Sequence, residues 1–272
     1  MVRRVLWTAT VTALLAGCGL FVDLGGLSGE AAGAADGGEA GASSEAGATA
    51  SGDGGADAAV ASAYRDAVLA DRPVSYWPLD EAPGSLVAKD IVSGRDATLT
   101  GAATFGVRGV AGTALSVTSR DAFLEVGDVH DLAGQAPFTI EAWAQPKITE
   151  DFTNLGAKRD ERGQGWILYF RDNGALQFEQ RWASGQRVGF SDTPRAYPQP
   201  AHVVVTFDGT KLAMYLDGEK LAKTFQDPGS ASDVTVPLVW SAGYEGLLDE
   251  IAIYDRALPP DRVVAHRAAA GR

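Results

Sequence analysis

From Val74 to Tyr254 the chain runs as short apolar or alternating segments, each closed by a turn signal. Side chains on a strand point to alternate faces, so this period of two builds sheets with one face buried. Trp166–Arg171 and Ala175–Trp182 flank Asn173-Gly174, a dipeptide that favours a type I′ hairpin turn. Val203–Phe207, Asp208-Gly209, Lys211–Leu216, Asp217-Gly218 and Glu219–Phe225 predict two more linked hairpins. Val74–Leu79, Ala114–Val117, Phe123–Val126 and Phe138–Gln145 precede them, and Val236–Trp240 and Leu247–Tyr254 follow. Many short antiparallel strands at even spacing argue for a β-sandwich, a jelly roll or a barrel. A short helix is expected over Ala63–Ala70, capped by Ser62, and another over Pro260–Ala270.

The rest of the chain differs in kind. Apart from Trp7 and Phe21, every aromatic residue lies between Tyr64 and Tyr254. Between Val22 and Ala63 there is no Lys or Arg, but Asp23, Glu30, Asp36, Glu39, Glu45, Asp53 and Asp57 are present. Residues 19–62 are nearly all Gly, Ala, Ser, Thr, Asp and Glu, with too little apolar bulk to offset the entropy of ordering. They read as a flexible linker with a root-mean-square reach of roughly 35 Å. Much of the net charge of −12 belongs to this segment. That charge excludes DNA and RNA as main partners, because no basic excess exists to displace phosphate counterions.

Residues 1–18 read as an export signal: Arg3 and Arg4, then a short apolar run from Val5 to Leu15. The run is too short to span a bilayer, which takes about 20 apolar residues. It ends in Leu15-Ala16-Gly17-Cys18, which resembles the lipobox of bacterial lipoproteins. The resemblance implies that Cys18 carries lipid and becomes the mature N-terminus, holding the protein on the cell envelope. Gly19, where an aspartate would signal inner-membrane retention, points to the outer membrane. Cys18 is the one cysteine of the chain, so no intramolecular disulfide and no multi-thiolate zinc site can form.

Four segments in order carry a second resemblance. They are Tyr76-Trp77-Pro78-Leu79-Asp80-Glu81, Phe138-Thr139-Ile140-Glu141-Ala142-Trp143, His202–Gly209 with Met214–Gly218, and Gly246–Tyr254 with Arg256-Ala257-Leu258. Together they resemble the laminin-G-like branch of the concanavalin A-like lectin/glucanase superfamily. This implies an all-β jelly-roll sandwich over residues 63–272, with first and last strands side by side. One departure is that Pro198-Gln199-Pro200-Ala201 stands where the family has a Trp before the His; Tyr197 is the ring available to replace it.

The superfamily includes glucanases whose retaining members hold two carboxylates about 5 Å apart. Their strand pattern, Glu-x-Asp-x-x-Glu, does not occur here, and no Ser/His/Asp set is indicated. Asp249 shares alternation with Ile251 and Ile253 and is expected to face the core, as a backbone-bonded carboxylate or, as the resemblance implies, as a Ca²⁺ ligand with Asp90. On the hairpin strands, Tyr169 and Arg171, with Gln177, Glu179 and Arg181, alternate against Trp166, Leu168, Phe170, Leu176, Phe178 and Trp182. Tyr215 alternates likewise against Leu212, Met214 and Leu216. These six residues form a candidate ligand-binding face, since aromatic rings stack on sugars and Arg, Gln and Glu bond hydroxyls. Trp77, Trp143 and Trp240 read as core packing. Three functions stay open: a non-catalytic module for polysaccharide or a surface glycoprotein, a hydrolase of the same superfamily, and a protein-binding adhesion lipoprotein.

Overall fold

The computed structural model describes residues 54–191, 193–221, 223–227 and 229–272. Cys18, the signal segment 1–18 and linker residues 19–53 lie outside the described residues. Helix α1 spans Gly54–Ala70. The strands then follow as β1 (Ser75–Trp77), β2 (Val87–Ala88), β3 (Ala97–Thr100), β4 (Ala103–Arg108), β5 (Thr113–Val117) and β6 (Phe123–Gly127). Next come β7 (Phe138–Pro146), β8 (Thr153–Arg159), β9 (Gly165–Phe170), β10 (Leu176–Trp182), β11 (Gly185–Phe190) and β12 (Ala201–Phe207). The last are β13 (Leu212–Leu216), β14 (Glu219–Leu221), β15 (Lys223–Gln226), β16 (Leu238–Trp240) and β17 (Gly246–Tyr254), before helix α2 (Pro260–Ala269). No helix among the described residues is long and apolar enough to cross a membrane.

The strands form two antiparallel sheets, a sandwich of the jelly-roll kind. One has the order β14-β13-β12-β7-β17-β5-β4, with β1 also paired to β17; the other has the order β15-β11-β10-β9-β8-β16-β6-β3-β2. First and last strands do lie side by side, with Tyr76 opposite Ala252. The main core fills the space between the sheets, where Trp77, Trp166 and Trp240 meet Phe138, Phe178 and Phe207. Tyr197 contributes its ring to this core, edge-on to Phe170 at 4.9 Å.

Four local differences from the sequence reading have physical causes. The first helix starts at Gly54, so residues 54–62 of the expected linker are helical and Ser62 lies inside the helix instead of capping it. Ala58, Ala59, Ala61 and Ala63 add no bulk but favour helix, while Tyr64 and Val68, one turn apart, bury against the outer face of the first sheet. Glu219–Phe225 is not one strand: β14 pairs with β13 and β15 with β11, so the chain changes sheets between them. The Asn173-Gly174 turn is not type I′, because only Gly174 takes positive φ, at 78°. Gly174 N–H bonds Arg171 O, the pattern of a type I turn with a glycine bulge. Asp217-Gly218, with φ of 52° and 77°, is the pair that adopts the double-positive turn. Finally β8 and β11, absent from the expected strands, carry Gly, Lys, Arg and Gln that blur the alternation.

A second buried layer lies between the first sheet and the helices. Its centre is Glu141 on β7, fully buried. Tyr64 and Tyr254 each donate a hydroxyl to it at 2.9 Å. His202 Nε2 lies 2.7 Å from Oε1, and His266 Nδ1 lies 3.0 Å from both oxygens. His266 Nε2 reaches Asp71 at 2.8 Å, and Arg262 Nε closes on the same carboxylate at 2.7 Å. Residues from both helices and two strands, β12 and β17, thus converge on one carboxylate of β7. Burial alone would push the Glu141 pKa up, but the His266 charge and the bonds from both histidines outweigh it and hold the group well below its ordinary value. Burial likewise disfavours charge on His266, yet Glu141 and then Asp71 raise its pKa above the ordinary imidazole value.

Candidate functional site

The outward face of the second sheet is built by alternation. Trp166, Leu168, Phe170, Leu176 and Phe178 all enter the core. Their neighbours Tyr169, Gln177, Glu179 and Arg181 therefore point away from it. Register brings them together, since Tyr169 pairs with Gln177, Ile167 with Glu179, and Gly165 with Arg181. Glu179 is the hub. Its Oε1 accepts from Tyr169 Oη at 2.9 Å and from Gln177 Nε2 at 2.7 Å. Its Oε2 pairs with Arg181 Nη2 at 3.0 Å and Arg159 Nη1 at 3.4 Å. Arg171 extends the chain of contacts, with Nη1 3.4 Å from Gln177 Oε1 and Nε 2.8 Å from Asp151 Oδ1. Five of the six sequence-proposed residues are thus connected. Burial and the neighbouring Glu179 raise the Tyr169 pKa, so its hydroxyl remains a donor.

Phe152 and Arg159 are the residues that sequence reasoning missed. Phe152 stacks on Tyr169 with ring centroids 4.9 Å apart and planes at 26°. Tyr169 is covered as a result, and Phe152, 48% exposed, is the ring that faces solvent. Its φ of 61° is uncommon for a bulky side chain, and strain of that kind concentrates at functional positions. The visible signal is a lone aromatic in a polar run, Glu150-Asp151-Phe152-Thr153-Asn154. Across the sheet, Val188 is opposite both Glu179 and Phe225, so Phe225, 50% exposed, shares this face. Two half-exposed rings therefore flank a charged, hydrogen-bonding centre. Such a surface presents ring faces to a flat apolar ligand face and fixed donors and acceptors to hydroxyls.

Tyr215 does not join this face. It sits on β13 of the other sheet, buried in the layer beneath the helices. Both strands alternate in the same sense, but they belong to different sheets, which alternation alone cannot distinguish.

Asp249 is also placed differently from expectation. Asp249 pairs with Trp143 and Ala252 with Glu141, so β17 carries one residue more than β7 across that interval. This bulge, with Glu250 at a φ of 53°, shifts the alternation. Ile251 and Ile253 enter the main core, whereas Asp249 lies opposite Trp143 of the helix-covered layer. Asp249 Oδ2 accepts from Val110 N at 2.7 Å, and a Cβ on Gly109 would lie 2.5 Å from that oxygen. Burial, opposed only in part by these backbone bonds, raises its pKa. Glu250, raised by burial and by Asp249, accepts from the Tyr76 hydroxyl.

Asp90 serves a separate loop. It accepts from Tyr76 N at 3.0 Å, Val92 N at 2.9 Å and Ser93 N at 3.0 Å, and from the Ser93 hydroxyl. Burial opposes its ionisation, but the Ser93, Tyr76 and Val92 donors outweigh it and lower the pKa. Calcium needs six to eight oxygens around one point. Asp90 already has its oxygens filled by donors, and the hydrogen-bond partners of Asp90 and Asp249 are different residues. The pair does not fit a shared calcium site. No group of three or more His, Cys, Asp or Glu placed to hold a metal occurs among the described residues.

Comparison with known proteins agrees with this architecture. No curated protein matches the sequence. Among solved structures, the binding domain of Paraclostridial Mosquitocidal Protein 1 superposes with a TM-score of 0.57 at 18% identity, over 73% of this chain and 52% of that one. Domain 4 of AbnA, an extracellular GH43 arabinanase of Geobacillus stearothermophilus, in complex with arabinotriose, gives 0.55 at 17% identity, over 72% of this chain and 98% of that one. A Trypanosoma rangeli sialidase in complex with the inhibitor DANA gives 0.53 at 15%, over 72% and 32% respectively. The chain spans about half the length of the toxin binding domains it resembles. These likenesses concern the fold. At the level of sequence, a laminin-G family model, described as concanavalin A-like lectin/glucanases superfamily, matches residues 118–264. The chain belongs to this laminin-G-like family of the concanavalin A-like lectin/glucanase superfamily.

Proposed function

We propose that the protein is a non-catalytic carbohydrate-binding module, tethered to the bacterial outer membrane by lipid on Cys18 and reaching polysaccharide or surface glycoprotein. The observation that carries this reading is the Phe152–Tyr169 stack beside the Glu179 hub. It pairs an exposed ring with a fixed set of donors and acceptors on one sheet face. Hydrolysis fits this face poorly. Glycosidases need two carboxylates, one of them protonated, whereas the hydrogen-bond and ion-pair partners of Glu179 are Tyr169, Gln177, Arg159 and Arg181, none of them acidic. A domain of similar fold in complex with arabinotriose makes a glycan ligand the natural first test.

A glycan array probed with the purified chain and with Phe152→Ala tests it. The wild type is expected to bind a subset of glycans without releasing reducing sugar. The variant is expected to lose about tenfold in affinity, which corresponds to about 1.4 kcal/mol, within the range of a ring-stacking contact. Silence across the array, with capture of an unglycosylated protein, would favour the adhesion reading. The anchor is tested separately. A clickable fatty acid fed to the bacterium is expected to label the wild type and not Cys18→Ser; equal labelling of both would refute it.

A further inference from the structure

At the other sheet lies a cleft of about 230 Å³ that the sequence reading did not anticipate. Trp143 on β7, the 195–201 segment, Asp217 in the β13–β14 turn, Arg267 in the last turn of α2 and Arg272 beyond it line the cleft. The 195–201 wall is held from outside. Arg195 N–H bonds Asn173 O at 3.0 Å, Tyr197 Oη donates to Gly174 O at 2.8 Å, and Gln145 Nε2 donates to Pro198 O at 2.9 Å. A Cβ on Gly174 would collide with Arg195 O, so that contact exists only because the turn carries glycine.

The chemistry of the lining is one-sided. Three arginine side chains, Arg195, Arg267 and Arg272, meet one side-chain carboxylate, Asp217, in a protein whose net charge is −12. Asp217 is already engaged: one oxygen pairs with Arg195 and the other accepts His202 N at 3.0 Å. Arg272 Nη1 donates to Gln199 Oε1 at 3.1 Å. Two donors are left without partners, Arg267 Nε and the indole N–H of Trp143, whose residue is 1% exposed. A buried N–H without an acceptor costs free energy, so a small side-chain shift that turned either group to a ligand oxygen would be favourable. Guanidinium and indole groups only donate, and a guanidinium fork matches the two oxygens of a carboxylate.

We propose that this cleft is a second binding site, one that takes the carboxylate of an acidic sugar residue. Its volume lies below the roughly 300–1,000 Å³ of sites for drug-sized ligands, which fits one residue and not a chain segment. The sugar identity rests on the glycan-binding reading above; the preference for a carboxylate rests on the donors alone. The site is separate from the Phe152 face, because it belongs to the other sheet and its covering helix.

The test is a titration of the full chain with sodium D-glucuronate, D-glucose and sodium acetate, followed by the indole N–H resonance of Trp143, assigned with Trp143→Phe. Glucuronate is expected to shift that resonance, with glucose inert and acetate at least tenfold weaker. Arg267→Gln and, independently, Arg195→Gln are expected to weaken glucuronate binding at least tenfold. Both variants should retain the Phe152-dependent binding of neutral glycans. No shift with glucuronate, equal binding of glucose or acetate, or undiminished binding by both variants overturns the proposal. Loss of the Phe152 effect with the glucuronate effect intact would instead overturn the reading of the sheet face and leave the cleft standing.

Discussion

Glu141→Ala is expected to destabilise the fold by about 3–5 kcal/mol, the cost of breaking a buried ion pair by removing one partner. Chemical denaturation of variant and wild type measures it. The size follows from what is left behind. Tyr64, Tyr254, His202 and His266 all turn a polar atom to this carboxylate in a layer closed to water. Its removal would orphan them together and unfasten α1 and α2 from the sheet. The same network sets a pH dependence. Glu141 is held below its ordinary pKa, so its stabilisation is present above the unfolded value of about 4.3 and is lost as pH falls through the folded one. His266 is held above its ordinary pKa, so its stabilisation is complete below about 6.5 and fades as pH rises through the folded value. The network is therefore expected to contribute most between about pH 4.3 and 6.5. In Glu141→Gln the alkaline decline should flatten. A variant within 1 kcal/mol of wild type at pH 6 would contradict this account.

Arg187→Met is expected to act in the opposite direction, raising stability by about 1–4 kcal/mol. Arg187 projects from β11 into the main core, fully buried, with its guanidinium 3.7 Å from the Phe207 ring centroid. Its Nη2 makes a long bond to Gly134 O at 3.4 Å, and Nε and Nη1 have no partner. Burial alone lowers its pKa to about 10. Lys158, also fully buried, is held by Asp131 at 2.9 Å, Val236 O at 2.8 Å and Asp128. Lys158 has its desolvation offset; Arg187 largely does not. A methionine of similar length would keep the contact with Phe207 and remove the unsatisfied donors. A fall in the melting midpoint would show that the guanidinium has a partner these contacts do not include.

Much of the architecture was legible because alternation survives wherever one face is buried. Trp166, Leu168 and Phe170 against Tyr169 is the clearest instance, and alternation located three of the four side chains bonded to Glu179, namely Tyr169, Gln177 and Arg181 but not Arg159. Long-range placement was not legible. Tyr215 alternates as Tyr169 does, yet belongs to the other sheet, and no local pattern says which sheet a hairpin joins. The β17 bulge is a further case: one extra residue at Glu250 turned Asp249 from the main core to the helix-covered layer. Phe152 was missed because a ring just ahead of a strand looks like loop until the fold lays it over Tyr169. Glu141, His202 and His266 lie far apart in the chain, and only the packing of both helices brings them together.

The central claim is that a glycan lies across Phe152, Glu179 and their neighbours. Backbone amide resonances recorded while an array-selected neutral oligosaccharide is titrated into the full chain test it most directly. The predicted result is a set of saturating shifts confined to β8, β9, β10 and the Phe152 turn, with the midpoint moved to about tenfold higher concentration in Phe152→Ala and the rest of the spectrum unchanged. Shifts confined to any other surface, or an unchanged midpoint in the variant, would contradict it.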